Sequence, residues 1–317
     1  MKQKLILIAG PTASGKTKSS VQLAKRINGE IISCDSMQIY KGMDIGTAKV
    51  TQEETEGIPH YMIDLLDPSE GCNIAWFKDE VEKAIKTIAA KGKIPILVGG
   101  TGFYLNAILF DTQFDETEED TSYRKELEAL ADIHGVEYLH NKLKEVDPTS
   151  AKAIHANNVK RVIRALEYYA QTGTPISSHN ASEKEKRAAQ VSPYNYQFFA
   201  LDMNRQTLYN RINLRIDQML EEGLVEEVRH FYDVGLPEDC TSMKAIGYKE
   251  FFPYFRGEMT LDACVDKLKQ NTRHFAKRQL TWFRHQSNPI FIQVDQLSFD
   301  ADAIVNEMSK SLQNIVD

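Results

Sequence analysis

The sequence has 317 residues, of which 42% are hydrophobic and 26% are charged, and its formal net charge is −7. These values are typical of a water-soluble chain of about two domains, and the negative charge argues against nonspecific binding to nucleic acid. No apolar run reaches the roughly 18 residues that a bilayer-spanning helix needs, and no signal-peptide pattern precedes the first predicted strand. We therefore expect a cytoplasmic monomer without a membrane span.

Residues 10–17 read GPTASGKT and directly follow the apolar run 5–9. They match the phosphate-binding pattern G-x-x-x-x-G-K-[ST], the P-loop, in which glycines let backbone N–H groups turn toward an anion. Lys16 supplies a cation, the Thr17 hydroxyl can hold Mg²⁺, and the dipole of the following helix adds to the attraction. The alternative is a plain glycine turn. The predicted phosphate site consists of Gly10, Pro11, Thr12, Ala13, Ser14, Gly15, Lys16 and Thr17.

Apolar runs alternate with segments of helical spacing, which predicts an α/β fold. We expect a P-loop NTPase-like parallel sheet flanked by helices, with an inserted all-helical domain. A helix from residue 16 to about 28, closed by Gly29, follows the first strand. The further predicted elements are strands at 30–34, 60–65, 94–98, 196–201 and 290–294, a helix at 74–91 and a C-terminal helix.

Two of these strands end in polar residues that can carry chemistry. Asp35 follows the second strand, and Thr101 follows the strand at 94–98 through a pair of glycines. Because ligands collect at the carboxyl ends of parallel strands, we expect both residues to lie beside the P-loop. Asp35 is a candidate base or Mg²⁺ ligand, and the alternative is that it only caps a turn.

The predicted strands stop after residue 110. An acidic linker at 111–120 leads into helices predicted at 123–134, 135–145 and 158–172, and a charged, flexible return follows at 182–187. We therefore expect a helical insertion at 113–190 between two parts of the core, 1–112 and 191–317. The insertion carries Arg124, Lys160, Arg161 and Arg164, although such charges usually mark only a solvated face.

Two basic features follow the insertion. Arg211 and Arg215 are four residues apart on a predicted helix, so they share a face and can clamp a second phosphate group. A long helix is predicted from residue 261 to about 284, and residues 265–286 have a net charge of +5. An acidic protein with one basic stripe can still bind a polyanion locally.

Taken together, these segments resemble the bacterial tRNA dimethylallyltransferases, also called tRNA isopentenyltransferases. The resemblance spans most of the chain in the family's order, which makes it far more specific than a lone P-loop. The zinc-finger extension of some eukaryotic relatives is missing, and the four scattered cysteines predict neither a zinc site nor a disulfide framework. The matching segments are 10–17, 35–40, 43–49, 98–104, 161–167, 245–248 and 272–282.

The resemblance implies transfer of a dimethylallyl group from its diphosphate to the exocyclic N6 amine of the adenosine 3′-adjacent to the anticodon, in tRNAs that read codons starting with U. The P-loop would bind the diphosphate leaving group with Mg²⁺ at Thr17, without ATP hydrolysis. Asp35 would accept the amine proton or only position the amine. Thr101 would orient the amine or the leaving oxygen, and Arg211 or Arg215 would add to the clamp.

The resemblance also implies how the tRNA is held. The target base would leave the anticodon-loop stack and lie against Ser36, Met37 and Gln38, beside Asp35 and Thr101. The helical insertion would grip the anticodon stem, and the basic helix could do so from the other side. The implied tRNA-binding residues of the insertion are Arg124, Lys160, Arg161, Val162, Ile163 and Arg164.

Other functions remain open from the sequence alone. A P-loop small-molecule kinase using ATP would carry an arginine-bearing lid, for which the insertion could pass. A GTPase-like module needs an N-K-x-D motif, which the sequence lacks. An adenylate prenyltransferase would share the core chemistry but would lack much of the insertion.

Overall fold

The computed structural model describes residues 2–114, 122–286 and 288–312. The chain divides into two compact units. The first unit consists of Met1–Asp111 and Ser192–Asp317, and the second of Thr112–Val191. Much of the acidic linker predicted at 111–120 lies outside the described residues.

A six-stranded parallel sheet forms the centre of the described part of the first unit, in the order β3-β2-β4-β1-β5-β6. The central strand β1 pairs with β4 on one side and with β5 on the other, so that Leu7 lies opposite Leu97 and Phe198. These three residues are buried, as continuous apolar strands of a parallel sheet require. The strands are β1 Gln3–Ala9, β2 Gly29–Ser33, β3 His60–Tyr61, β4 Ile94–Gly99, β5 Tyr194–Asp202 and β6 Ile290–Gln293.

Helices cover both faces of the sheet. Right-handed crossovers that move in opposite directions along a sheet place their helices on opposite faces, as the connections β1 to β2 and β3 to β4 do. The predicted P-loop NTPase-like α/β fold is thereby confirmed. The helices are α1 Lys16–Ile27, α2 Ile74–Ala90, α3 Gly102–Leu109, α4 Ser122–His134, α5 Val136–Val146, α6 Pro148–Ala153, α7 Val159–Thr172, α8 Ile176–Ala188, α9 Arg205–Glu221, α10 Leu224–Asp233, α11 Phe252–Phe255, α12 Leu261–Gln286 and α13 Ala301–Ser309.

The second unit is built from α4 to α8 in its described part. Leucine and β-branched side chains of α4, α5 and α7 form its separate core. The prediction of a flexible return at 182–187 is wrong, since these residues lie within α8. Over the described ranges, no helix combines the length and apolar character that crossing a membrane would require.

Gly29 does not end α1, contrary to the prediction. Asn28 takes the left-handed conformation at the helix end, with φ 53°, and its N–H donates to Ala24. Gly29 begins β2 instead, where an added Cβ would lie 2.8 Å from Ile96 Cδ1 and 2.9 Å from the Ile94 carbonyl oxygen. A close approach of neighbouring strands, not helix termination, therefore requires glycine at this position.

The predicted strand at 60–65 is shortened for a backbone reason. β3 covers only His60–Tyr61, because Met62 and Asp64 have φ values of 65° and 55°. Left-handed residues cannot continue an extended strand.

The start of β2 carries an ion cluster around one buried carboxylate. The Glu30 carboxylate, with a side chain only 2% exposed, accepts hydrogen bonds from Lys93 at 2.7 Å, Tyr61 at 2.7 Å and Lys91 at 3.0 Å. Burial acts to raise the pKa of this carboxyl, but the three donors outweigh it and lower the pKa to about 2. The cluster ties β2 to β3 and to the segment that enters β4.

Substituting Glu30→Gln is expected to lower the free energy of unfolding by about 2 kcal/mol at pH 7, because the charge-assisted hydrogen bonds are lost. A carboxyl whose pKa is depressed on folding stabilises above its ordinary pKa of 4.5 and loses that effect as the pH falls toward about 2. The difference in stability between wild type and variant should therefore shrink over that interval. Urea titrations at pH 7, 5, 4 and 3 measure it; a difference independent of pH would contradict the assignment.

Candidate active site

The P-loop, residues 10–17, connects the central strand β1 to α1. Gly10, Ala13 and Gly15 have φ values of 153°, 62° and 89°, so the loop coils with its backbone in the region that favours glycine. Gly15 is the N-cap of α1 and makes no side-chain cap hydrogen bond. The first-turn N–H groups of α1 therefore present the positive end of the helix dipole to an anion.

Lys16 lies folded against its own loop. Its Nζ donates to the carbonyl oxygens of Pro11 at 2.7 Å and Gly10 at 3.1 Å. Burial, followed by the nearby charge of Arg215, lowers the pKa of this ammonium to about 8, and the Asp35 carboxylate partly opposes the change. Lys16, Arg215 and Asp35 thus interact electrostatically in one site, as the strand-end argument predicted for Asp35.

Asp35 follows the end of β2 and caps the turn of its own segment. Its Oδ1 accepts a hydrogen bond from the Met37 N–H at 2.9 Å, so the turn-capping alternative describes part of what this residue does. Burial raises the pKa of the carboxyl, against the opposing effects of the Met37 N–H and of Lys16. A carboxylate with raised proton affinity beside a phosphate loop is suited to accept a proton.

Glycines bring the chain segments around the site together. A Cβ on Gly99 would clash with the Cys34 backbone, directly before Asp35, and a Cβ on Gly100 would clash with the Gln279 side chain. The Gln279 amide donates to the Gly100 oxygen at 3.0 Å and accepts from the Thr12 N–H at 3.2 Å. One buried side chain of α12 therefore joins the P-loop to the loop that leads into Thr101.

Thr101 stands at the N-cap of α3, but its side chain makes no cap hydrogen bond. The following residue, Gly102, packs against the Trp282 ring so closely that an added Cβ would clash with it. Thr101 therefore lies between two glycines that pack against α12, and its hydroxyl is not used to cap its own helix.

Arg211 and Arg215 of α9 both contact the P-loop. The Arg211 Nε donates to the Ala13 oxygen at 2.9 Å, and the Arg215 Nη1 lies 3.5 Å from Thr12 Oγ1. Burial lowers the pKa of Arg215, and Arg211 contributes to that effect. The shared face predicted from the i, i+4 spacing brings both cations to one phosphate loop.

The loop at 43–49 is held by a carboxylate that the sequence analysis missed. Glu227 of α10 accepts from the backbone N–H groups of Asp44 at 3.0 Å, Ile45 at 2.8 Å and Gly46 at 3.0 Å. It also accepts from the Tyr248 hydroxyl at 2.5 Å. No local sequence pattern marks Glu227, because its partners lie far away in the chain; for Gln279, an amide on an otherwise apolar helix face was an available signal.

A family model described as IPP transferase matches residues 38–286. The chain belongs to the IPP transferase family. A curated protein of Lachnoclostridium phytofermentans named tRNA dimethylallyltransferase is 51% identical over 310 residues, covering 98% of this chain and 97% of its own length. A protein of Halalkalibacterium halodurans with the same name is 50% identical over 300 residues, covering 95% of this chain and 94% of its own length.

Solved structures agree with the family. The full-length tRNA isopentenylpyrophosphate transferase of Bacillus halodurans superposes with a TM-score of 0.74 at 47% identity, covering 99% of this chain and 97% of its own. A eukaryotic dimethylallyltransferase acting on tRNA gives a TM-score of 0.83 at 32% identity, covering 98% of this chain and 79% of its own. The resemblance found in the sequence is confirmed, and these matches favour the prenyltransferase interpretation over an ATP-dependent kinase.

In this IPP transferase family member, the segment after Asp35 has mixed roles. Ser36 and Met37 are partly exposed at the end of β2. The Gln38 amide, in contrast, is engaged within the protein: its oxygen accepts from Ser33 Oγ at 2.8 Å, and its nitrogen lies 3.2 Å from the oxygens of both Thr47 and Ala48. These hydrogen bonds connect the Gln38 amide to the loop at 43–49, and the contact of Gln38 with a substrate base stays a prediction.

The structure corrects the prediction for two of the six residues of the helical unit. Val162 and Ile163 have relative exposures of 0% and 3% and belong to the core of this unit, so their side chains cannot contact tRNA. Arg124 of α4 forms a bidentate pair with the buried Glu167, at 2.9 and 2.7 Å, but its side chain is 47% exposed and its contact with tRNA stays a prediction. The resemblance assigned Val162 and Ile163 to tRNA binding, and only the packed helices show that their side chains face the core.

The three other cations predicted to bind tRNA point outward. Lys160, Arg161 and Arg164 are exposed on α7, and no ion pair joins them to another residue in the part of the chain that the structure describes. They form a short basic ridge on the surface of the unit, which we name the α7 ridge.

Several cations of α12 are bound to other residues of the protein, which the sequence does not reveal. Arg284 is paired with Asp202 at 2.6 Å, Lys269 with Asp217 at 2.5 Å, and Arg273 donates to Asn213 at 2.7 Å. Lys277 and Arg278 remain exposed beside a surface groove of about 580 Å³. The α12 residues that line this groove are His274, Lys277, Arg278, Thr281, Trp282 and His285.

The donor set at the P-loop fits Mg²⁺ bound together with a phosphate ligand. The Thr17 hydroxyl is partly exposed and makes no hydrogen bond to any residue that the structure describes. Nowhere in the described ranges do three or more His, Cys, Asp or Glu side chains form a cluster that could hold a metal. Mg²⁺ suits such a site, because it is commonly held by one or two protein oxygens, substrate phosphates and water.

Replacing Gln279 by Leu is expected to lower the free energy of unfolding by about 1–3 kcal/mol and to weaken binding of inorganic pyrophosphate roughly tenfold, because Thr12 N–H and the Gly100 oxygen lose their buried partner. Gln270→Leu provides the matched control, since Gln270 is exposed on the same helix. Calorimetric titration and urea unfolding of both variants test this. Equal effects of the two substitutions would show that Gln279 does not organise the loop.

Proposed function

We propose that this chain transfers a dimethylallyl group from dimethylallyl diphosphate to the N6 amine of the adenosine 3′-adjacent to the anticodon, in tRNAs reading codons that start with U. The observation that carries the proposal is the proximity of an acceptor carboxylate, Asp35, to a phosphate loop in a member of the IPP transferase family. Phosphate-loop cations suit a diphosphate leaving group, and a raised-pKa carboxyl suits the amine that attacks.

The P-loop stabilises the leaving group. As the bond between the allylic carbon and the diphosphate oxygen breaks, negative charge grows on the diphosphate. We assign its neutralisation to Lys16, Arg211, Arg215 and the N–H groups at the start of α1, a role supported by the contacts of both arginines with the P-loop. Such preorganised charge lowers the barrier because it needs no rearrangement during the reaction. Mg²⁺ held by Thr17 would supply further positive charge to the diphosphate. No ATP hydrolysis is involved.

Asp35 acts on the nucleophile. The adenine amine attacks weakly because its lone pair is delocalised into the ring. As the new N–C bond forms, the amine must lose a proton, and the carboxylate of Asp35, with its raised proton affinity, accepts it. Thr101 orients the amine or the leaving oxygen through its hydroxyl, which is not consumed by helix capping.

The tRNA is held by surface cations and by the segment after Asp35. The α7 ridge and the exposed Lys277 and Arg278 of α12 provide phosphate contacts, which give salt-dependent affinity in an otherwise acidic protein. Ser36, Met37 and Gln38 contact the flipped base. We place this reaction in the cytoplasm and assign it to the monomer.

The proposal is tested by incubating the purified protein with dimethylallyl diphosphate, Mg²⁺ and unmodified tRNA that reads a codon starting with U, followed by nucleoside mass analysis. Parallel reactions carry ATP in place of the prenyl donor. A mass gain of one dimethylallyl group on adenosine, with ATP unchanged, is expected. Turnover of ATP on a small molecule without prenylation would refute the proposal.

Asp35→Asn should reduce kcat by roughly 10²- to 10⁴-fold while leaving the Kd for tRNA nearly unchanged. Asparagine can still accept the Met37 N–H that caps the turn, so the variant separates proton acceptance from loop structure. Single-turnover kinetics and tRNA filter binding measure the two quantities. A variant with full turnover would remove Asp35 as the base.

Arg164→Ala is expected to weaken tRNA binding at 50 mM salt and to reduce the slope of log K against log salt by about 1, because one phosphate contact is lost. Lys86→Ala on α2 removes the same charge from an exposed position outside the helical unit. If both variants change the slope equally, net charge rather than the α7 ridge determines binding.

A further inference from the structure

Arg211 is held at the P-loop from two sides. Its Nε–H donates to the Ala13 carbonyl oxygen at 2.9 Å, and its Cζ lies 4.2 Å from the centroid of the Phe299 ring. A guanidinium that stacks on an aromatic face is attracted by the ring quadrupole and loses rotational freedom. The hydrogen bond fixes one edge of the guanidinium, and the ring fixes its plane.

This arrangement leaves the outer donors of Arg211 for a ligand. Arginine has five N–H donors in one plane, and only the Nε–H is used by Ala13. Within the described part of the chain, no acceptor takes a hydrogen bond from Nη1 or Nη2 of Arg211. A planar fork of this kind is well matched to phosphate oxygens, provided that its orientation is fixed.

The position of Phe299 is fixed by an unusual turn between β6 and α13. Ser298 and Phe299 have φ values of 53° and 57°, in the left-handed region that bulky residues rarely adopt. The Phe299 N–H donates to the Val294 oxygen at 2.9 Å, and Asp300 caps α13 by accepting from the Ala303 N–H at 2.8 Å. Surrounding structure therefore imposes the conformation.

The turn is also anchored to the sheet. The Val294 N–H donates to the oxygen of Asp202, the last residue of β5, at 2.9 Å. β5 pairs with β1, which leads into the P-loop. The same two strands therefore position both the Phe299 ring and the P-loop. The Phe299 ring is thus placed independently of the Arg211 side chain that it supports.

We propose that Phe299 is a positioning residue for the diphosphate, acting through the guanidinium of Arg211. The inference rests on the proposed function, in which the P-loop binds the diphosphate of the prenyl donor. Phe299 itself touches no substrate: it removes the rotational freedom that Arg211 would otherwise lose on binding. It lies outside the segment that the family model matches, residues 38–286.

A double-mutant cycle tests the proposal with inorganic pyrophosphate and Mg²⁺ as the probe. Calorimetry on wild type, Phe299→Leu, Arg211→Ala and the double variant should show Phe299→Leu weakening pyrophosphate binding roughly 3- to 30-fold, the range of a cation–π contact. In the Arg211→Ala background the same substitution should have no effect. Phe299→Tyr keeps the aromatic face and should bind as wild type does.

Steady-state kinetics separates positioning from general damage to the fold. Phe299→Leu should raise KM for dimethylallyl diphosphate while leaving KM for tRNA unchanged, whereas a destabilised protein would lose active enzyme and lower kcat alone. Should Phe299→Leu fail to fold, fluorinated phenylalanines at position 299 weaken the ring quadrupole at nearly constant shape. Pyrophosphate affinity should then fall stepwise with the number of fluorines.

Each outcome decides the proposal. Unchanged pyrophosphate affinity in the folded leucine or fluorinated variants would overturn it, as would an equal loss in the Arg211→Ala background. Wild-type protein that does not bind pyrophosphate would refute the diphosphate site and the Phe299 role together. Coupled loss of pyrophosphate affinity without prenyl transfer would refute the proposed function while leaving the positioning role in place.

Discussion

The site depends on how closely three backbone segments approach at the carboxyl edge of the sheet. Gly99 and Gly100 carry no side chain because the Cys34 backbone and the Gln279 amide occupy that space. Without this approach, the P-loop, Asp35 and Thr101 would still follow their strands but would stand further apart. The edge of a parallel sheet brings these residues into one region but does not fix the distances between them. Gly99, Gly100 and the Gln279 amide, which connects two of the loops, fix those distances.

Those parts of the site that follow from local pattern and parallel topology were predictable. The P-loop has a fixed spacing, Asp35 and Thr101 end parallel strands, and the separation of Arg211 from Arg215 places both on one helix face. Each of these inferences depends on a spacing or a strand boundary that can be read from a few neighbouring residues. The fold class was predictable for the same reason, since apolar runs and helical segments alternate along the chain.

What could not be predicted depends on pairings between distant segments. Gln279 and Glu227 bind loops more than a hundred residues away, and no short-range pattern reports such contacts. The same limitation applies to Val162 and Ile163, which the family resemblance assigned to tRNA binding: no short-range pattern reports that their side chains lie in the core of the helical unit. Nor does a count of charges along α12 report that Lys269 and Arg284 are paired with Asp217 and Asp202.

The Glu227 contact gives the chain a second loop whose amides converge on an anion, but here the protein supplies the anion itself. Three consecutive N–H groups, from Asp44 to Gly46, are occupied by one carboxylate fixed on α10. A free loop of this kind would compete for phosphate-bearing molecules. Because Glu227 already occupies these N–H groups, the loop at 43–49 does not offer them to an anion from solution.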